Sequence, residues 1–283
     1  MKYSFYIIFA FLFNFGFVTS QGIVIKGNIS DSLNTPIEYS SIGVLNRDVG
    51  TVSDKAGDFI LKIKESMIKD TLRISCVGYK PIELLIKEIL KNQHSLSINL
   101  ENFIEELDEV ILTSKKTKTY ESGKLRIKTK VKVIFSKTEL ENKKLGTEIG
   151  RKFKLGNKKV SSLSEFKFFI KENNYEYSIF RINIYSIKRN MPNRRINKES
   201  ILVKVGKNYS DWVVTDLSPY DINVRENIII TVEWIECSEK GNKLSLPIII
   251  PSLGSNHYYK FGSQNSWAKF ENISTPMYLK YEK

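Results

Sequence analysis

Gly50-Thr51-Val52-Ser53-Asp54-Lys55-Ala56-Gly57-Asp58-Phe59-Ile60-Leu61-Lys62-Ile63 reads as a strand, a tight turn and a second strand. Asp54 is suited to accept hydrogen bonds from the backbone of its own turn, and Gly57 is free to take positive φ. Phe59 then returns the chain to a core face. This unit, repeated with variations in both directions, decides the fold class.

Toward the N-terminus, Ile23-Val24-Ile25-Lys26-Gly27-Asn28-Ile29 is rich in β-branched residues and ends in the turn-prone Ser30-Asp31-Ser32. Pro36 opens a strand over 37–45, a place where proline costs no interior ladder bond. Toward the C-terminus, strands follow at 71–77, 82–86, 96–100 and 110–112, and only 83–90 has the look of a helical turn. Short strands with regular turn punctuation predict a small β-sandwich.

The rest of the chain repeats the pattern on a larger scale. In Ser178-Ile179-Phe180-Arg181-Ile182-Asn183-Ile184-Tyr185, Ile182 and Ile184 share one face while Arg181, Asn183 and Tyr185 share the other. Residues 165–171, 201–205, 212–217, 228–235, 247–250, 258–261, 267–270 and 277–281 read the same way. So many strands and no helix of ordinary length predict a two-sheet, jelly-roll-like sandwich. The expected fold is all-β: an N-terminal transthyretin-like or Ig-like sandwich followed by this larger one.

Charge divides the chain in the same place. Of 283 residues, 44 are Lys or Arg and 31 are Asp or Glu, a net of +13. Residues 22–112 hold 10 basic and 14 acidic residues, 113–132 hold 8 and 1, and 133–283 hold 25 and 16. The expected organisation is an acidic module at 21–112, a basic linker at 113–132 and a C-terminal module at 133–283. Before them, Met1 and Lys2 lead into an apolar run from Phe5 to Val18 and then Thr19-Ser20. That is the pattern of a secretory signal peptide at 1–20, shorter than the roughly 20 apolar residues that span a bilayer. No cysteine stands near the cleavage point, and no transmembrane segment is expected in the mature chain.

Several residues of the first module fall into a known order. They are Ile25-x-Gly27-x-Ile29, Pro36-Ile37-x-Tyr39-x-x-Ile42, Gly50-Thr51-x-x-Asp54-x-x-Gly57-x-Phe59, Ile74-Ser75-x-Val77-Gly78-Tyr79 and Leu107-Asp108-Glu109-Val110. Over this first third the chain resembles the carboxypeptidase-like regulatory domain, a transthyretin-like sandwich of gram-negative envelope proteins. The resemblance implies export to periplasm, cell surface or medium. In the family the domain often precedes a receptor's plug and barrel, for which too few residues remain here. Leu145 to Gly150 and Phe180 to Tyr185 are more loosely similar to the C-terminal half of short secreted proteins that carry the same domain.

Catalytic signatures are sparse. A zinc peptidase needs two histidines and a carboxylate on one metal. His94 and His257 are the only histidines, they stand in different modules, and neither has a His-x-x-Glu context. No Gly-x-Ser-x-Gly elbow and no Gly-x-Gly-x-x-Gly loop is present. Asp48, Asp54 and Asp58 lack calcium-loop spacing and read as turn caps. Cys76 and Cys237 stand in different modules; two buried thiols are the favoured reading, with an interdomain disulfide of an exported protein as the alternative. No catalytic residue, metal or cofactor is expected, and a hydrolase is the remotest reading.

The basic excess is diluted over a surface and a linker, so no nucleic-acid partner is expected. One ligand hypothesis comes from aromatics. Tyr209 and Trp212 flank Ser210-Asp211, and His257-Tyr258-Tyr259 leads toward Trp267. Rings beside polar groups suit a glycan or peptide, although such rings also fill cores. The expectation is an exported, non-enzymatic protein that binds glycan or peptide at the cell envelope. The alternative is a structural or assembly component that docks on an envelope partner through its first module.

Overall fold

The structure, a computed structural model, describes residues 22–91, 95–103, 118–135, 144–156 and 159–283. The leader at 1–20, His94 and Leu107-Asp108-Glu109-Val110 lie outside the described residues. The first module contains β1 (Ile23–Asp31), β2 (Ser41–Val44), β3 (Gly50–Val52), β4 (Asp58–Ile63), β5 (Thr71–Ser75), β6 (Ile82–Leu85) and β7 (Leu96–Leu100). Sheets ordered β4-β1-β7 and β3-β2-β5-β6 close on a core that includes Ile25, Ile29, Phe59, Leu61, Ile42, Leu72 and Ile74.

The turn after β3 forms as its residues dictate. Asp54 Oδ1 accepts the amides of Ala56 at 2.8 Å and Asp58 at 2.9 Å. Gly57 has φ +78°, and a Cβ there would stand 2.3 Å from the Ile29 carbonyl oxygen. Two elements differ from the sequence reading. The strand expected at 37–45 shrinks to β2 because Tyr39, at φ +55°, leaves the extended region. The helical turn expected at 83–90 splits into β6 and a short helix α1 (Ile86–Lys91), anchored by the buried Ile86.

The second module begins with β8 (Thr119–Gly123), β9 (Lys132–Ile134), β10 (Thr147–Phe153), β11 (Ser161–Phe169) and β12 (Glu172–Asn173). Next come β13 (Tyr177–Lys188), β14 (Met191–Arg195), β15 (Ile201–Gly206), β16 (Trp212–Asp216) and β17 (Asn223–Val224). It ends with β18 (Ile228–Cys237), β19 (Leu244–Pro247), β20 (Asn256–Lys260), β21 (Ala268–Glu271) and β22 (Met277–Glu282). A seven-stranded sheet runs β14-β13-β18-β10-β20-β21 with β15 added on β13. It faces a five-stranded sheet, β16-β11-β22-β8, in which β17 also pairs with β11. Between them Phe135, Phe153, Phe166, Phe168, Phe180 and Trp234 are buried. Edge-to-face contacts order these rings, with Phe168 and Phe180 centroids 5.3 Å apart. The chain is all-β, as its alternation predicts.

Of the basic stretch expected as a linker at 113–132, residues 118–132 are described, and they do not run free. From Lys118 onward the stretch is drawn into the second module: β8 pairs with β22, and Thr129 Oγ1 donates to the Ile248 carbonyl at 2.7 Å. Without β8 the β22 strand would be an edge with unpaired backbone groups. Tyr120 stacks on Tyr281 at 5.7 Å, so one aromatic residue suffices to dock an otherwise polar strand. No helix among the described residues is long and apolar enough to cross a membrane.

Candidate functional site

The polar face of the β13 strand is covered by the first module. Arg181 and Glu233 are cross-strand neighbours, each with a side chain 1% exposed, and Arg181 Nε and Nη2 donate to Glu233 Oε2 at 3.0 and 2.9 Å. Arg181 Nη1 donates to the Tyr39 carbonyl at 2.7 Å and Nη2 to Ser41 Oγ at 2.9 Å. Ser41 Oγ in turn donates to Glu233 Oε1 at 3.2 Å. The Tyr39 hydroxyl donates to Glu236 Oε2 at 2.6 Å. The positive φ of Tyr39 thus sits where its carbonyl and its hydroxyl both bind the other module. Around this core, Tyr39 and Val52 pack on Ile179 and Ile235.

Glu148 continues the seam and lies directly across from Glu233, an arrangement that repels unless cations intervene. Lys260 Nζ stands 2.9 Å from Glu148 Oε2, and Asn183 Nδ2 bridges the two carboxylates at 2.8 Å each. Thr231 and Tyr185 also donate to Glu148. Burial alone would push the Glu148 carboxyl up, but Lys260 and Arg195 outweigh it and hold the group at about 2. Burial pushes the Tyr185 phenol up to about 12. A loop at 261–267 closes the seam: Ser263 Oγ donates to the Ile42 carbonyl at 2.5 Å, and Gln264 Nε2 donates to Ser75 Oγ at 2.8 Å.

The outer face of the five-stranded sheet is different in character. Trp212 packs edge-to-face on Phe169 at 5.5 Å. The Lys167 ammonium lies 4.5 Å from the Tyr278 ring centre and 5.9 Å from that of Trp212. Val214, opposite Lys167 in the register, is 54% exposed. Glu165 and Lys280 border the patch 3.4 Å apart. Tyr278 itself is buried beneath this layer, and Trp212, Phe169, Lys167 and Val214 form a partly open aromatic, cation-bearing face.

The six aromatic positions singled out in the sequence fall into three places. Trp212 belongs to the open face, and the Tyr209 hydroxyl caps its carbonyl at 2.7 Å. Tyr258 is fully buried with Tyr185 and Ile229, and Trp267 packs against that cluster beside the seam. His257 and Tyr259 lie on the opposite, interior side of β20. Phe169, Lys167 and Tyr278 were not singled out, because the β11 and β22 strands read simply as alternating. Their signal was the aromatic residue at an outward position. Cys76 and Cys237 are half-buried and not joined by a disulfide. A shallow cleft lined by Asn174, Glu176, Lys207 and Lys240 brings no hydroxyl, thiol or imidazole to its carboxylate.

Residues 25–112 match the CarboxypepD_reg-like domain family, and the first module is such a domain. The TonB-dependent receptor SusC of Bacteroides thetaiotaomicron is 29% identical over 93 residues, 33% of this chain and 8% of the receptor. The chain therefore spans less than a tenth of that relative's length. Among solved structures, the cysteine protease and lectin-like domains of Cwp84, a surface layer associated protein of Clostridium difficile, are 11% identical. That match has a TM-score of 0.41 and covers 65% of this chain and 42% of that one. The propeptide-cleaved form of the clostridial protease is 10% identical at TM-score 0.41, covering 92% of this chain and 70% of that one. Likenesses of this depth carry neither fold nor activity across.

Proposed function

We propose that the protein is an exported, non-enzymatic component of the cell envelope that binds a glycan or peptide on the outer face of its five-stranded sheet. The observation that carries this reading is the patch of half-buried Trp212, Phe169 and Lys167 beside the exposed Val214, with the buried Tyr278 ring beneath the Lys167 ammonium; this patch stays open while the opposite sheet is covered. Half-buried rings give a ligand apolar area that is already held in place, and the neighbouring charges supply hydrogen-bond partners. The CarboxypepD_reg-like domain, shared with a TonB-dependent receptor, supports an envelope setting in a gram-negative bacterium. Neutral oligosaccharides, acidic oligosaccharides and peptides, screened by thermal shift and then titrated, test the reading. At least one class should stabilise the wild type, and Trp212→Ala should lose that response while Trp267→Ala keeps it. Equal binding by Trp212→Ala, or no response to any class, would overturn it.

The assembly reading draws on a smaller surface. Val24 and Ile60, 44% and 55% exposed, stand on the outer face of β1 and β4 among Lys26 and Lys62. If that face docks on an envelope protein, Ile60→Lys should abolish capture of the partner by the full chain. A monomer that captures no envelope protein counts against it.

A further inference from the structure

The basic stretch that opens the second module takes no part in the face around Trp212. Lys124-Leu125-Arg126-Ile127-Lys128-Thr129-Lys130-Val131-Lys132 alternates a cation with Leu, Ile, Thr or Val at every step. Such alternation ordinarily makes a strand with one side buried. Here the run lies between β8 and β9 and joins a strand only at Lys132. Its ends are fixed: the Lys124 amide donates to the Met277 carbonyl at 2.8 Å, and the Ile248 amide donates to the Val131 carbonyl at 3.0 Å. Between those ends the backbone groups of 125–128 make no hydrogen bond among the described residues.

Neither set of side chains is covered. Leu125 is 54% exposed, Ile127 37% and Val131 45%, and Ile250, two residues beyond Ile248, is 50% exposed. Lys124, Arg126, Lys128 and Lys130 are exposed, and none of them forms an ion pair among the described residues. Lys132, by contrast, is bound to Glu172 at 2.6 Å. No Asp or Glu stands anywhere in 122–138 or 244–255. Single apolar residues are ordinary on a protein surface. Leu125, Ile127 and Val131 are instead grouped within one short run, among free cations and away from any carboxylate of that run, which marks an interaction surface.

We infer that residues 124–131 dock the protein on an anionic lipid surface, with the cations at the headgroups and the exposed aliphatic side chains against the acyl chains. Charge complementarity supplies the attraction, and each basic residue close to an anionic leaflet raises partition about fivefold. The aliphatic side chains decide between a membrane and a hydrated polyanion. Acyl chains remove them from water, which is favourable, while an acidic polysaccharide or an acidic peptide leaves them wet. Lysine is a compact, hydrated point charge, suited to headgroups that present no fixed geometry. The surface follows β8, and β8 and the Trp212-bearing β16 are opposite edges of the five-stranded sheet. The glycan or peptide reading of the Trp212 face therefore stands or falls separately.

Co-sedimentation of the full chain with vesicles tests the inference. Vesicles of phosphatidylglycerol and phosphatidylcholine in equal parts should bind the protein, and pure phosphatidylcholine vesicles should not. Sodium chloride should weaken the binding by screening. Arg126→Gln with Lys128→Gln should lower partition about twentyfold. Leu125→Ser with Ile127→Ser keeps every charge in place and should lower it about tenfold. Lys188→Gln with Arg189→Gln, the same loss of charge on the exposed turn between β13 and β14, should leave it unchanged. The altered side chains are all exposed, so melting temperatures should match the wild type. Trp212→Ala should bind the vesicles as the wild type does. No binding to the mixed vesicles would overturn the inference. So would an equal loss in the 188–189 variant, which would assign the attraction to net charge alone. Binding indifferent to the Leu125 and Ile127 changes, or tighter binding to polyglutamate or polygalacturonate than to vesicles, would also overturn it in favour of an acidic polymer.

Discussion

The two sheets of the second module present outer faces of opposite kinds. The seven-stranded sheet turns out Arg181, Asn183, Glu148 and Glu233, and these polar groups are the buried ones. The five-stranded sheet turns out Trp212, Phe169 and Val214, and this apolar surface is the one left to solvent. Polarity alone would have assigned them the other way round. Charged groups go under cover when a partner supplies complementary groups, and here the partner is the first module of the same chain. The exposed aromatic face has no such partner among the described residues.

The largest expected effect comes from breaking the covered face. Arg181→Ala strands the Glu233 carboxylate and should cost about 3–5 kcal/mol in denaturant unfolding. Arg181→Met with Glu233→Leu should recover much of that loss, because two apolar side chains leave no buried charge. A single mutant costing under about 1 kcal/mol would mean that the seam is open to water.

Acid sharpens the comparison. His257 has a folded pKa near 4 against 6.5 for the free group, so the unfolded chain takes up a proton first. The stability held by neutral His257, facing Arg151 and Thr275, is present above pH 6.5 and is lost as pH falls toward 4. The loss is about 3 kcal/mol. His257→Asn should flatten that limb. The Glu148 carboxyl, held at about 2 against 4.5, keeps its contribution above pH 4.5 and loses it only below, as pH falls toward 2. Stability curves of wild type and His257→Asn from pH 8 to 3 separate the two ranges.

Smaller effects follow at the edge of the seam and on the open face. Tyr39→Phe removes a bond to the Glu236 carboxylate and should cost about 2 kcal/mol. Lys167→Ala removes a partly exposed cation from two ring faces and should cost about 0.5–1 kcal/mol. A contact between Lys167 and the ligand predicts that Lys167→Ala weakens binding more than this stability change suggests.

Much of this architecture was legible in the alternation of residues. The Asp54–Gly57 turn, the period-two strands and the acidic first module all follow from side-chain chemistry within a few positions. Residues 118–132 were not legible as strands, because a polar, Lys-rich segment carries no hydrophobic period and its pairing with β22 is made by the backbone. The seam was half legible. Arg181, Asn183 and Tyr185 share the face that their alternation predicts, and Thr231 and Glu233 alternate on the partner strand. That the first module covers this face depends on contacts nearly 200 residues apart, such as Tyr39 with Glu236. The aromatic candidates were the hardest to place, since ring content does not say which rings face inward.

Scanning calorimetry of the full chain tests most directly whether the covered face joins the two modules into one folding unit. A buried ionic seam predicts a single transition with equal calorimetric and van't Hoff enthalpies, and a lower or divided transition in Arg181→Ala. Two resolved transitions in the wild type, with the first unmoved by Arg181→Ala, would contradict it.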